Sequence, residues 1–351
     1  MGWRWRSDAD EVSLLYIMGY HKYIYKHRPG NCRKLAGIDN GVQDIEVFLD
    51  GFALVASGYS RTNRRTGSIR AYNFTTGNLT KVAVSGRPQG EFHPIGLSKY
   101  RNRATGKTQV FVVNQNMFKD SIEIFDLHQD ASKLQLKFLR QMQDFQMRRM
   151  SDVQAVGPRQ FYFTNEGYHK DFPMHQIEHY MMFPWGGVVY CDGDVCRQVS
   201  NPLYEPSGIQ LSPDGRFIYI SMLYGMGLQI YSRDASDNLL SAQSAQVINL
   251  GSLVDKVSVD GRGNLWAASH PVAHKLKSHL DDRRNKAPSQ ILHVKFDHNA
   301  ASPHKKYEVF EMYSDDGMEL SASSVVVFRQ SKLLIGSRRG HMLLCEVQAG
   351  R

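Results

Sequence analysis

Three aspartates, Asp44, Asp152 and Asp255, each stand where an apolar run with strand character begins. Carboxylates and backbone carbonyls are the ligands of a hard cation that takes about six to eight oxygens, namely calcium. One aspartate at such a place caps a turn and needs no ion. Three at equivalent places converge if the runs are copies of one element. A second string, His175, Glu178 and His179, reads H-x-x-E-H, the spacing of one class of zinc helix. Its neighbours Tyr180, Met181, Met182, Phe183 and Trp185, bounded by Pro173 and Pro184, fit an amphipathic lid helix better. The chain carries no Gly-x-Ser-x-Gly elbow, phosphate loop or zinc-ribbon spacing.

The elements that must position these residues repeat. An apolar strand, a Gly- or Pro-bearing turn and a second apolar strand recur six times, from Asp44, Pro94, Ser151, Ser207, Asp255 and Ser324. Asp50-Gly51, Gly157-Pro158, Asp214-Gly215 and Asp260-Gly261 supply hairpin-turn chemistry. Further strand-like runs, SIEIFDL, GGVVYC and ILHVKFD, lie between the copies. The period of roughly 50–70 residues belongs to propeller blades rather than helical solenoids. Four strands per unit predict an all-β, six-bladed β-propeller with short N-terminal and lid helices. In such a ring the blade starts meet at the central channel, where Asp44, Asp152 and Asp255 would gather.

At 351 residues and 42% hydrophobic, the chain can bury a full core as one domain. The charge of +9 invites acidic partners. The basic residues are scattered, however, at Arg61, Arg64 and Arg65, at Arg148 and Arg149, and from Lys275 to Lys286. No basic stripe interleaved with aromatics occurs, which speaks against nucleic acid and leaves anionic membrane headgroups as the minority reading. Cys32 precedes the first blade and Cys345 lies in the last strand, so a bridge between them would tie the ends where a propeller closes. Cys191 and Cys196 flank Asp-Gly-Asp-Val and read as a pair across a hairpin rather than a metal pair. Two sequons, at Asn73 and Asn78, together with paired cysteines point to the secretory pathway. Residues 1–30 form a separate segment whose Trp3, Trp5, Tyr16, Tyr20, Tyr23 and Tyr25 mix with Arg4, Lys22 and Lys26. It suits either a membrane interface or packing on the propeller of residues 31–351.

From Cys32 to Val347 the sequence resembles the paraoxonase (arylesterase) family. The matching stretches are GIDNGVQDIEV, VFVVNQ, SDVQAVGPRQFYFTN, SGIQLSPDGRFIYIS, LVDKVSVDGRGNLW and KLLIGSRRGHMLLCEV, in colinear order. The resemblance implies a six-bladed propeller with two calcium ions in its tunnel and a Cys32–Cys345 disulfide. In the family one ion is structural and the other polarises an ester or lactone carbonyl. Carried over, the structural site takes Asp44, Asp152 and the Leu97 carbonyl. The catalytic ion's positions hold Gln43, Ser151, Ser207, Asp255 and Lys256, of which only Asp255 keeps the family's ligand. Calcium affinity falls as charged ligands are lost, and the Lys256 ammonium would pair with Asp255 and repel a dication. One structural calcium is therefore expected, with the second position metal-free or at most weakly filled. The family's two tunnel histidines fall on Ile95 and Gln115, neither a general base. His93 is displaced by two residues, and Ser269 stands beside the matching His270.

The expected function is a family propeller kept for binding rather than hydrolysis. The resemblance extends to nematode membrane-associated members that assist assembly of degenerin-type sodium channels, which makes an ion-channel subunit a candidate partner. The location would then be membrane-associated, in the endoplasmic reticulum or at the cell surface, or extracellular. The rival is a calcium-dependent arylesterase or lactonase rebuilt around Asp255, His270 or His93. A third reading takes the lid aromatics as a lipid-binding patch, against simple packing on the propeller.

Overall fold

The structure, a computed structural model, describes residues 15–38, 41–57, 66–116, 119–130, 133–171, 173–297 and 303–347. The first and last described strands meet in one sheet: β1 (Cys32–Leu35) runs antiparallel to β25 (Met342–Glu346), with Cys32 opposite Cys345. Those two cysteines form a disulfide, as do Cys191 and Cys196.

Six sheets surround an axis. Blade one is β2 (Val42–Val47), β3 (Phe52–Ser57), β4 (Ser68–Asn73) and β5 (Leu79–Lys81). Blade two adds the short β6 (Ala83–Ser85) outside β7 (Pro94–Arg101), β8 (Thr108–Asn114), β9 (Ser121–Asp130) and β10 (Lys133–Met142). Blade three is β11 (Met150–Ala155), β12 (Gln160–Asn165), β13 (Gly187–Asp192) and β14 (Val195–Gln198). Blade four is β15 (Pro206–Leu211), β16 (Phe217–Met222), β17 (Gly227–Arg233) and β18 (Leu240–Asn249). Blade five is β19 (Leu253–Val259), β20 (Leu265–His270), β21 (Ser289–Phe296) and β22 (Tyr307–Asp315). Blade six is β23 (Ser323–Arg329), β24 (Lys332–Ser337) and β25, completed by β1. The six sequence copies are the two inner strands of each blade.

Inner strands read as continuous apolar runs because both faces of a blade are covered. All six residues of β3, Phe-Ala-Leu-Val-Ala-Ser, are buried. Leu54, Leu97, Val110 and Phe125 fill the space between blades one and two, and Phe111, Val153, Phe161 and Phe163 that between two and three. Gly51 and Gly215 take left-handed φ in their turns, as expected; in the Asp260 turn it is Gly263, at φ +82°, that does so rather than Gly261. A lid helix, Met174–Met181, and a second helix, Ala273–Asp281, lie outside the sheets, and residues 15–18 form a helical turn. No described helix is long and apolar enough to cross a membrane.

Candidate functional site

The innermost strands β2, β7, β11, β15, β19 and β23 neighbour one another around the ring, and β2 meets β23 to close it. Each breaks register with its partner near its start: between Val42 and Asp44, Pro94 and Gly96, Met150 and Val153, Pro206 and Ile209, Val254 and Val257, and Ser323 and Val325. A bulge inserts residues without partners and re-aims their side chains. Gln43, Ile95, Ser151, Asp152, Ser207, Asp255 and Lys256 all fall in these bulges, and Asp44 closes the first. Glycines let the strands approach there. A Cβ on Gly96 would lie 2.8 Å from the Ser151 carbonyl oxygen, and one on Gly208 would lie 3.1 Å from the Lys256 Cα.

Asp44 and Asp152 share one cluster. Asp44 accepts the backbone N–H of Ile45 (2.8 Å) and of Leu97 (2.7 Å). Asp152 accepts those of Val153 (2.9 Å) and Ile209 (3.0 Å). Into this cluster comes the Lys256 ammonium, 3.1 Å from Asp152 Oδ1 and 3.8 Å from Asp44 Oδ2, donating to the Ser151 carbonyl at 2.9 Å. Burial alone would lower the Lys256 pKa, but Asp152, Asp44 and Asp255 outweigh it and hold the amine charged. Burial pushes Asp152 well up, with Lys256 opposing.

Asp255 is gripped from elsewhere. Arg338, in the loop after β24, places Nη2 2.8 Å from Oδ2 and 2.9 Å from Oδ1, with Nε 3.1 Å from Oδ2. Ser207 Oγ donates to Oδ1 at 2.7 Å, and His270 Nε2 lies 3.6 Å from Oδ2. Burial would raise the Asp255 pKa, yet Arg338 and His270 hold it well below the carboxylate range. Burial lowers that of His270, with Asp255 opposing, and neither ring nitrogen has a partner at hydrogen-bond distance among the described residues. The Arg338 side chain is 23% exposed against 4% for Lys256, so this pair faces solvent more openly.

The expected partnership of Lys256 with Asp255 is thus corrected. Chain neighbours in one bulge send their side chains apart, and Arg338, which no spacing in the sequence connects to Asp255, takes the carboxylate. Gln43 donates to the Arg338 carbonyl (2.9 Å) and so braces that loop. Ser151 Oγ lies 3.4 Å from Ser207 Oγ. Ile95 is buried, and Gln115 donates to the Met150 carbonyl while its own carbonyl meets His93 Nδ1 at 3.0 Å.

The H-x-x-E-H residues anchor the lid. Glu178 is buried, accepts the N–H groups of Tyr168 and His169, and faces Arg149. His179 bridges Glu205 (3.0 Å) and the Tyr224 hydroxyl (2.9 Å). Ile177, Tyr180, Met181 and Trp185 are exposed rather than packed away, with Lys277 over the Tyr180 ring. Tyr16, Tyr20, Tyr23 and Tyr25 are exposed too, Tyr20 stacking on His274 of the second helix. Trp3, Arg4 and Trp5 lie outside the described residues.

A calcium ion between Asp44 and Asp152 does not fit this donor set. Four carboxylate contacts go to backbone N–H groups, the Leu97 contact runs through its N–H, and a buried ammonium shares the space. Among the described residues no three or more His, Cys, Asp or Glu are grouped to hold a metal ion. At Asp255 the guanidinium fork and Ser207 already engage both oxygens.

The profile of the Arylesterase family matches residues 24–347. Serum paraoxonase/arylesterase 2 of Gallus gallus is 29% identical over 327 residues, covering 90% of this chain and 89% of its own. Serum paraoxonase/arylesterase 1 of Homo sapiens is 29% identical over 329 residues with the same coverage. Among solved structures, a gluconolactonase from Xanthomonas campestris superposes with a TM-score of 0.54 at 12% identity, covering 93% of this chain and 99% of its own. A luciferin-regenerating enzyme also gives 0.54 at 12% identity, covering 92% and 98%. At such identity these two show a shared propeller fold.

Proposed function

This chain belongs to the arylesterase (paraoxonase) family, and from that premise we propose that it is a member kept for binding rather than for ester hydrolysis. One observation carries the reading: Asp255, the only position that keeps its family ligand for the catalytic ion, is engaged on both oxygens by Arg338 and Ser207. The two positions that hold the family's tunnel histidines offer no base. Ile95 is apolar and Gln115 is an amide, while hydrolysis needs a group that takes a proton near neutral pH.

The lid supports binding. Its exposed side chains include Tyr180, which lies under Lys277 of the second helix, and the same helix stacks His274 on the exposed Tyr20. Such a face suits a membrane protein or the membrane beside it. The role proposed is that of an accessory protein, with the resemblance to channel-assembly members as its family analogue and the secretory pathway as its location.

Turnover of phenyl acetate and of a lactone, wild type against Asp255→Ala, tests the reading. Equal, background rates are expected. A rate abolished by Asp255→Ala establishes the rival hydrolase, for which the observation to build on is the buried His270–Asp255 contact. Flotation with anionic vesicles, wild type against Tyr180→Ser with Trp185→Ser, tests the face. Recovery of the wild type that the double variant loses is expected, and no recovery removes the membrane.

A further inference from the structure

We infer that Lys256 and Arg338 are the chain's own substitutes for two metal ions, so that the propeller closes around covalently attached cations and folds without calcium. This is independent of whether the protein turns over an ester.

The carboxylates converge at the axis, and side-chain cations rather than ions reach them. Asp44 comes from blade one and Asp152 from blade three. The ammonium that lies between them comes from blade five, crossing the channel to within 3.1 Å of Asp152 and 3.8 Å of Asp44. Its third acceptor is the Ser151 carbonyl. The same carboxylates tie the remaining neighbours through backbone N–H groups, Asp44 to Leu97 of blade two and Asp152 to Ile209 of blade four. Arg338 of blade six then holds Asp255 of blade five, which also holds Ser207 of blade four. All six blades are joined at the axis by two cations and three carboxylates.

Charge favours the side chains over a metal. Lys256 and Arg338 contribute two positive charges against three carboxylates, at N···O separations of 2.8–3.8 Å. A calcium ion entering the Asp44–Asp152 cluster would meet an ammonium at contact distance in a medium that screens weakly. To bind, it must first expel Lys256, leaving a buried amine without partners. Tethered cations also differ from ions in mass action. A bound ion stabilises in proportion to the logarithm of its free concentration, whereas a side chain contributes the same at any concentration.

The test uses the purified full chain. Metal is measured by elemental analysis after exhaustive desalting, and melting temperature is measured in excess EDTA and in millimolar calcium. The expected result is substoichiometric calcium and one Tm under both conditions. Lys256→Asn removes the ammonium and offers a neutral oxygen. Its Tm in EDTA should fall by roughly 4–7 °C and recover in part with calcium. Should that variant not fold, the wild-type measurements decide alone. One or more calcium ions per chain, with a Tm that drops on chelation, overturns the inference. A Lys256→Asn Tm equal to wild type in EDTA overturns it as well. Ester turnover by a metal-free wild type would sink the binding role proposed above and leave this inference standing.

Discussion

Asp255 and Lys256 are consecutive residues whose side chains leave one bulge in different directions, the carboxylate to Arg338 and the ammonium to Asp152. Sequence neighbours of opposite charge would be expected to neutralise each other. Here each neutralises a residue from another blade, and the axis gains two cross-links where an i, i+1 pair would have supplied none.

The Arg338–Asp255 pair should therefore behave as a coupled unit. Arg338→Gln leaves a carboxylate among buried groups and should cost about 2–4 kcal/mol. Asp255→Asn should cost a similar amount, and the double variant less than the sum of the two. Urea unfolding of all four proteins measures the coupling, and additive losses would show that the pair is solvated.

Acid should destabilise the protein in two steps. Burial lowers the pKa of His270, His279 and His293, so the unfolded chain binds their protons first as pH falls through the ordinary histidine value of 6.5. Stability present above that pH should decline below it by up to about 1.4 kcal/mol per histidine per pH unit. Asp255 is held below the usual 3.8, so its contribution is present above that value and lost beneath it. Tm against pH should thus slope downward below about 6.5 and steepen below about 4. His270→Asn should flatten the first step.

The two disulfides should differ in weight. Cys32–Cys345 closes a separation of 313 residues and Cys191–Cys196 one of 5. In the loop-entropy model these constrain the unfolded chain by about 5–6 and about 2 kcal/mol. Replacing the first pair by serines should lower Tm more than twice as far as replacing the second.

Asn73 and Asn78 both sit exposed at the β4–β5 turn, on the outer edge of blade one. Secretory expression should give two glycans, each removed by its own Asn→Gln change and read by intact mass. Asn73→Gln should also cost roughly 0.5–1 kcal/mol, because its Oδ1 accepts the N–H groups of Thr75 and Thr76.

Much of the architecture was legible. Six hairpins with turn residues between apolar strands count the blades, and the cysteine positions match the closure. What pattern could not supply is direction. A lysine side chain spans enough distance to reach either neighbouring cluster, and the bulge after Val254, not residue type, sends Lys256 to Asp152. Arg338 lies 83 residues from its partner in a Ser-Arg-Arg-Gly turn that composition alone marks as solvent. The lid aromatics were equally ambiguous, since an apolar stretch between prolines reads alike whether it packs inward or stands in solvent.

Closure by β1 has a consequence measured in time. Its partner strand is the last to be made, 313 residues later by the cysteine count. At translation rates of about 5–20 residues per second the interval is roughly 15–60 s. Throughout it the first strand is an unpaired edge beside an open thiol, while Cys191 and Cys196 emerge and must find each other and not Cys32. A chain stopped before Met342 is therefore not a shorter propeller but an open ring, carrying the edge and the thiol that surveillance of unfinished proteins detects.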